Sequence, residues 1–76
     1  MKLIQLEYFC AVSRYHSITQ AAQKLYVTQP AISSAIRELE KHYHCLLFER
    51  LGKKLYLTEQ GKLLLSQAPE LISRFS

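Results

Sequence analysis

Apolar positions recur along the chain in four helical runs, separated by short polar or basic breaks. In the first, from about Ile4 to Tyr15, Leu3, Leu6, Phe9, Cys10 and Val12 fall on one broad arc. That spacing gathers side chains on a single helical face. The run ends near Tyr15-His16-Ser17. Ser17 or Thr19 can then cap a second helix, in which Ile18, Ala21, Ala22 and Leu25 repeat at the helical period. Its paired alanines let a neighbouring helix approach closely. Barely two turns long, it depends on tertiary packing to persist.

After a break at Tyr26-Val27, the segment Thr28-Gln29-Pro30 reads as a helix start. A hydroxyl cap precedes a proline in the first turn, where its missing N–H costs nothing. Ile32, Ala35, Ile36, Leu39 and Tyr43 form the apolar stripe of this third helix. At about 100° per residue the opposite face carries Pro30, Ser34, Arg37 and Lys41, flanked by Ser33. Beyond His44-Cys45 the period changes. Leu46-Leu47-Phe48 is apolar, Gly52 with its flanking lysines makes a hairpin tip, and Leu55-Tyr56-Leu57 reads as a short strand. Thr58 opens a fourth helix carrying Leu64, Leu65, Ala68, Leu71, Ile72 and Phe75. The predicted fold is mainly α, in the order α-α-α-β-β-α.

Composition narrows the classes. Seventy-six residues hold one small domain, and the 49% hydrophobic and 21% charged content is that of a soluble globular chain. Ten Lys plus Arg against six acids, all Glu, give +4 with His neutral, which favours an anionic partner. No apolar run approaches the roughly 18 residues of a membrane span. The N-terminal MKLIQLEYF lacks the long apolar stretch of a signal peptide, so the expected location is the cytoplasm. Cys10 and Cys45 do not make a disulfide framework. His42-Tyr43-His44-Cys45, with Cys10 and His16, raises a metal site, but residues 42 and 44 lie on different helical faces and no CxxC is present. A Cys–His nucleophile lacks an acidic orienter and an oxyanion donor. No catalytic residue, metal or cofactor is expected, and the chain does not read as an enzyme. Cys10 reads as a small core residue, and Tyr8, Tyr15, Tyr26, Tyr43 and Tyr56 as amphipathic packing, since no sheet presents them together.

The second and third runs form a helix-turn-helix, and its chemistry suits DNA. A helix fits the major groove, and its N-terminal residues reach base edges. Gln29 can pair with adenine, the ring of Pro30 can lie against a thymine methyl, Ser33 and Ser34 can bond to bases or phosphates, and Arg37 can reach guanine or the backbone. Periodicity alone fits a helical hairpin with a solvated face equally well. Arg50, Lys53 and Lys54 form a basic run that by itself would be a solubility patch. Beside a helix-turn-helix it becomes a wing able to follow the minor groove or the backbone.

Leu6, Phe9 and Val12, Ser17-Ile18-Thr19, Ala21-Ala22, Leu25, Val27 through Ser33, Ile36, Leu39-Glu40, Leu47-Phe48, Arg50, Leu57-Thr58 and Gly61 keep one register. In that register the chain resembles the N-terminal DNA-binding domain of LysR-type transcriptional regulators. The resemblance covers nearly the whole chain, and VTQPAIS followed by LE and LFxR is its most specific part. It implies a winged helix-turn-helix over residues 1–58 whose third helix enters the major groove, with a linker or dimerisation helix over 59–76. The implied DNA-binding residues are Thr28, Gln29, Pro30, Ser33, Ser34, Arg37, Arg50, Lys53 and Lys54. The fourth-helix residues from Leu64 to Phe75 are expected to pair two copies. A two-lobed effector-binding domain usually follows in this family. None lies within these residues, so the chain is expected to be a piece of a longer bacterial regulator that meets any small-molecule effector through that domain.

Three positions depart from the family pattern. His44 and His16 stand where glycine is common, at the end of the third helix and before the second. A left-handed cap suits histidine less well than glycine, so the turn at His44 is expected to be strained or reshaped. Pro69 removes a backbone hydrogen bond inside the fourth helix and is expected to bend it without ending it. The reading at this point is a homodimeric regulator domain that binds an operator with inverted half-sites. A protein-interaction module and a small metal- or thiol-dependent enzyme are the alternatives, and the salt dependence of duplex binding separates them.

Overall fold

The computed structural model describes residues 1–75; Ser76, the last residue of the expected linker segment, lies outside the described residues. Helix α1 spans Leu3–Tyr15, α2 Ile18–Leu25 and α3 Gln29–Tyr43; strands β1 (Phe48–Leu51) and β2 (Lys54–Leu57) follow, and α4 spans Glu59–Ser73. The predicted order is the observed one.

Three of the helix starts are hydroxyl caps. Ser17 accepts the N–H of Gln20 at 3.1 Å, Thr28 that of Ala31 at 3.3 Å, and Thr58 that of Gly61 at 3.0 Å. Each satisfies a donor that the first turn leaves unpaired, an interaction worth about 1 kcal/mol. The stops are less expected. α1, α2 and α3 each end in a left-handed residue with φ of 57°, and none is glycine: His16, Tyr26 and His44. Placing an L side chain there costs about 1–2 kcal/mol. At His44 the strain anticipated from the sequence is present, and the turn keeps the usual shape. Its N–H bonds to Lys41 O and that of Cys45 to Glu40 O, the paired bonds of a Schellman cap. Tyr26 and Val27 repeat the arrangement against Gln23 O and Ala22 O.

The core lies where α1, α2 and α3 meet. Leu6, Phe9 and Val12 of α1 pack on Ala21 and Ala22 of α2 and on Ile32, Ile36 and Leu39 of α3. The small Ala21-Ala22 pair is fully enclosed, as its spacing implied. Phe48 extends this core into the hairpin, its ring centroid 5.3 Å from that of Phe9. Cys10 packs against the core only partly buried. Among the tyrosines, Tyr8, Tyr15 and Tyr43 pack on the core, but Tyr26 is 95% exposed, which corrects the packing role expected of it.

β1 and β2 pair antiparallel in the register Phe48↔Leu57, Glu49↔Tyr56, Arg50↔Leu55 and Leu51↔Lys54. That leaves Gly52-Lys53 as a two-residue loop, with glycine alone at positive φ (65°), the pattern of a tight hairpin turn. Strand alternation puts Arg50 and Leu55 on the face that turns toward the helices, and Lys54 and Tyr56 on the other. α4 leaves the hairpin at Thr58, whose N–H donates to Leu47 O at 3.0 Å and whose hydroxyl donates to Leu46 O at 2.7 Å. Gly61 lets this junction close: a Cβ there would collide with the Leu47 carbonyl oxygen and lie 2.9 Å from Leu57 Cδ2. The helix then continues through Pro69 to Ser73.

Candidate nucleic-acid interface

The exposed part of α3 begins at its first residue. Gln29 and Pro30 are exposed, Ser33 is half-buried, and Ser34 and Arg37 are exposed one turn on. They are presented this way because Ile32, Ala35, Ile36 and Leu39 are spent on the core, which fixes the rotation of the helix. The Arg37 guanidinium donates to Ser34 Oγ at 3.4 Å, so these two side chains form one polar spot. Thr28 is exposed, with its hydroxyl oxygen committed to the cap.

The wing meets that surface along a polar cavity of about 290 Å3, lined by His16, Ser17, Ile18, Thr19, Gln29, Ser33, Arg50, Lys53 and Leu55. Four expected site residues, Gln29, Ser33, Arg50 and Lys53, thus share one concavity. An adjoining cavity of about 240 Å3 joins Ser33 and Arg50 to Arg37 and Glu40. Lys54 lies outside both, on the far face of the hairpin. Arg50 has no ion-pair partner among the described residues; the ion pairs there are Lys62–Glu59 and Arg74–Glu70. Its cationic head is therefore not neutralised by Glu49 or Glu40. The start of α2 adds Ser17 and Thr19, with the partial positive charge of a helix N-terminus. Local pattern marks those two residues as candidate caps. Their place on the concavity depends on how the hairpin folds back, which local pattern does not carry.

The fourth-helix stripe divides in two. Leu64 (4% exposed) and Ala68 (1%) are enclosed in the protomer's own core. Gly61, Leu64, Ala68 and Leu71 lie on that same arc. Leu65 and Ile72 stand at its edge, where with Cys10, Ser13, Arg14, Ala68 and Pro69 they line a groove of about 530 Å3 between α1 and α4. Leu71 is partly buried, and Phe75, just past the helix, is 45% exposed. Burial pushes the Cys10 thiol up from its ordinary value, against the opposing pull of Arg14 and with a smaller push from Glu7. That is the opposite of an activated nucleophile.

Comparison with known proteins places this geometry. Residues 3–62 match the family described as bacterial regulatory helix-turn-helix protein, lysR family. A RuBisCO operon transcriptional regulator of Allochromatium vinosum is 48% identical over 62 residues, covering 82% of this chain and 20% of that protein. The chain thus spans about a fifth of that relative's length. The crystal structure of a BenM_DBD/catB site 1 DNA complex superposes with a TM-score of 0.88 at 36% identity, over 99% of this chain and 84% of that one. A CbnR_DBD–DNA complex gives 0.89 at 33% identity, over 96% and 84%.

Proposed function

Since this chain belongs to the lysR family of bacterial regulatory helix-turn-helix proteins, as its winged helix-turn-helix domain, we propose that it binds double-stranded DNA sequence-specifically. The observation that carries this reading is the shared concavity. It sets Gln29 and Ser33, at the head of a core-locked helix, beside two cations, Arg50 and Lys53, that make no ion pair among the described residues. A duplex laid across it would receive the first turns of α3 in its major groove. There Gln29, Pro30, Ser33 and Arg37 reach base edges. Phosphates would be met by Arg50, Lys53, Ser34 and the α2 N-terminus, with Lys54 contributing from the outer face of the wing. Such contacts position the protein, and the base contacts specify the sequence.

The domain works as a homodimer in this proposal. The groove between α1 and α4 offers Leu65 and Ile72 to a second copy, and Leu71 and Phe75 continue the apolar surface. A two-fold axis there would present two copies of α3 to inverted half-sites. Residues 59–76 act as the linker. A small-molecule effector would act through a further domain of the longer protein, in the bacterial cytoplasm. No helix among the described residues is long and apolar enough to cross a membrane.

Nuclease protection of the DNA flanking the chain's own gene tests the reading. Two protected half-sites one helical turn apart, or a multiple of it, about 34–36 Å each, are expected. Absence of protection at micromolar protein would refute it.

A further inference from the structure

A two-stranded hairpin is marginally stable in water, so the direction in which a wing points is set by what it docks on. The base of this hairpin is held by Phe48 against Phe9 and by Thr58 against Leu46 and Leu47. Toward the tip, the Leu55 side chain packs on the core, and the hydrogen bonds to the helical part come from a single residue of the opposite half of the chain, His16. Its carbonyl oxygen accepts the N–H of Leu55 at 2.9 Å, and its ring Nδ1 lies 3.1 Å from the carbonyl oxygen of the same Leu55. The ring also lies against Tyr56, with centroids 4.9 Å apart. Both main-chain groups of Leu55 therefore point away from β1. Leu55 faces Arg50 as a pair that is not hydrogen-bonded, and His16 supplies the partners that a third strand would. Among the described residues no hydrogen bond to the helices lies nearer the tip.

We infer that His16 is a positioning residue for DNA recognition. Its imidazole latches the wing to the helix-turn-helix, so that Arg50 and Lys53 are held in fixed register with Gln29 and Ser33 across the cavity that His16 itself lines. This rests on the DNA-binding reading. The left-handed backbone of His16 brings its carbonyl to Leu55, and the ring adds the second bond. Because a carbonyl oxygen only accepts, Nδ1 carries the proton, and the neutral ring is the Nδ1–H tautomer.

Backbone and ring roles separate cleanly. H16G keeps the left-handed cap and the main-chain bond without strain and removes only the ring. H16N also tolerates that conformation and places an amide donor where Nδ1 stands. The experiment measures affinity for a cognate duplex, thermal midpoint and the tautomer by 15N NMR, in the wild type and both variants, with K53A and Q29A added to wild type and H16G. H16G is expected to bind about five- to tenfold more weakly at an undiminished midpoint, with H16N recovering most of the loss. K53A should cost less in H16G than in wild type, and Q29A the same in both. Unaltered affinity of H16G, equal cost of K53A in both backgrounds, or an Nε2–H tautomer would each overturn the latch. A wild-type chain that binds no duplex would overturn the DNA reading and the latch with it.

Discussion

The carboxylate of Glu40 accepts the backbone N–H of Leu47 at 2.8 Å, across seven residues that include the end of α3 and the whole turn into the hairpin. Helix α3 and the entry to β1 are therefore tied at the rear by this bond, while toward the tip His16, between α1 and α2, holds Leu55 of β2. The group is part-buried, and a hydrogen bond to an ionised acceptor is worth more than a neutral one. Glu40→Ala leaves the N–H of Leu47 without its partner and should cost about 1.5–3 kcal/mol. Glu40→Gln retains an acceptor and should recover most of that. Chemical denaturation of the two variants checks the order.

Tyr26 occupies a left-handed position with its ring almost wholly in solvent, so it bears the conformational cost without a packing return. Tyr26→Asn should stabilise the domain by about 0.5–1 kcal/mol, since asparagine tolerates that region better. A lower thermal midpoint would mean that the exposed ring contributes something the free protomer does not show.

Gln29 opens α3 and is exposed beside the wing. Gln29→Ala should lose roughly 1–3 kcal/mol on the specific site and little on random duplex. Competition binding with the two DNAs measures both. Equal losses would make Gln29 a positioning contact only.

Assembly is best probed at Ile72 and not at Leu64. Leu64→Lys would drive a charge into the protomer's own core, whereas Ile72 lines the open groove. Ile72→Lys should give folded monomers in sedimentation at tens of micromolar. Those monomers should bind a two-half-site duplex far more weakly, having lost the linkage between half-sites. A wild type that is itself monomeric at that concentration would contradict the dimer.

What the sequence showed and what it hid follow from the range of the interactions. The caps made by Ser17, Thr28 and Thr58 and the turn at Gly52 act within three residues, so those roles are legible, while the bond from Thr58 to Leu46 O, 12 positions away, is not. The stripe of α4 was legible as a stripe. Whether Leu64 and Ala68 face the same chain or another depends on how α1 lies across them, which periodicity does not encode. His16 was visible only as a departure from glycine; the residue it holds is 39 positions away. The exposure of Tyr26 is not legible in the sequence because aromatic side chains usually bury, and here the cap fixes the backbone first. Lys53 and Lys54 are indistinguishable as neighbouring cations until strand register separates them.

Whether the face formed by α3 and the wing binds DNA is decided by the salt dependence of duplex affinity for the wild type and for Arg50→Ala/Lys53→Ala. If Arg50 and Lys53 each meet a phosphate in full and Lys54 in part, log K should fall with log salt at a slope between about −1.8 and −2.7 per protomer. The double variant should flatten that slope by about 1.8 on specific and random duplex alike. Lys54→Ala, from the far face of the hairpin, should change it less than Lys53→Ala. A slope near zero in the wild type, or one unchanged when both wing cations are removed, would contradict the assignment of this surface to DNA.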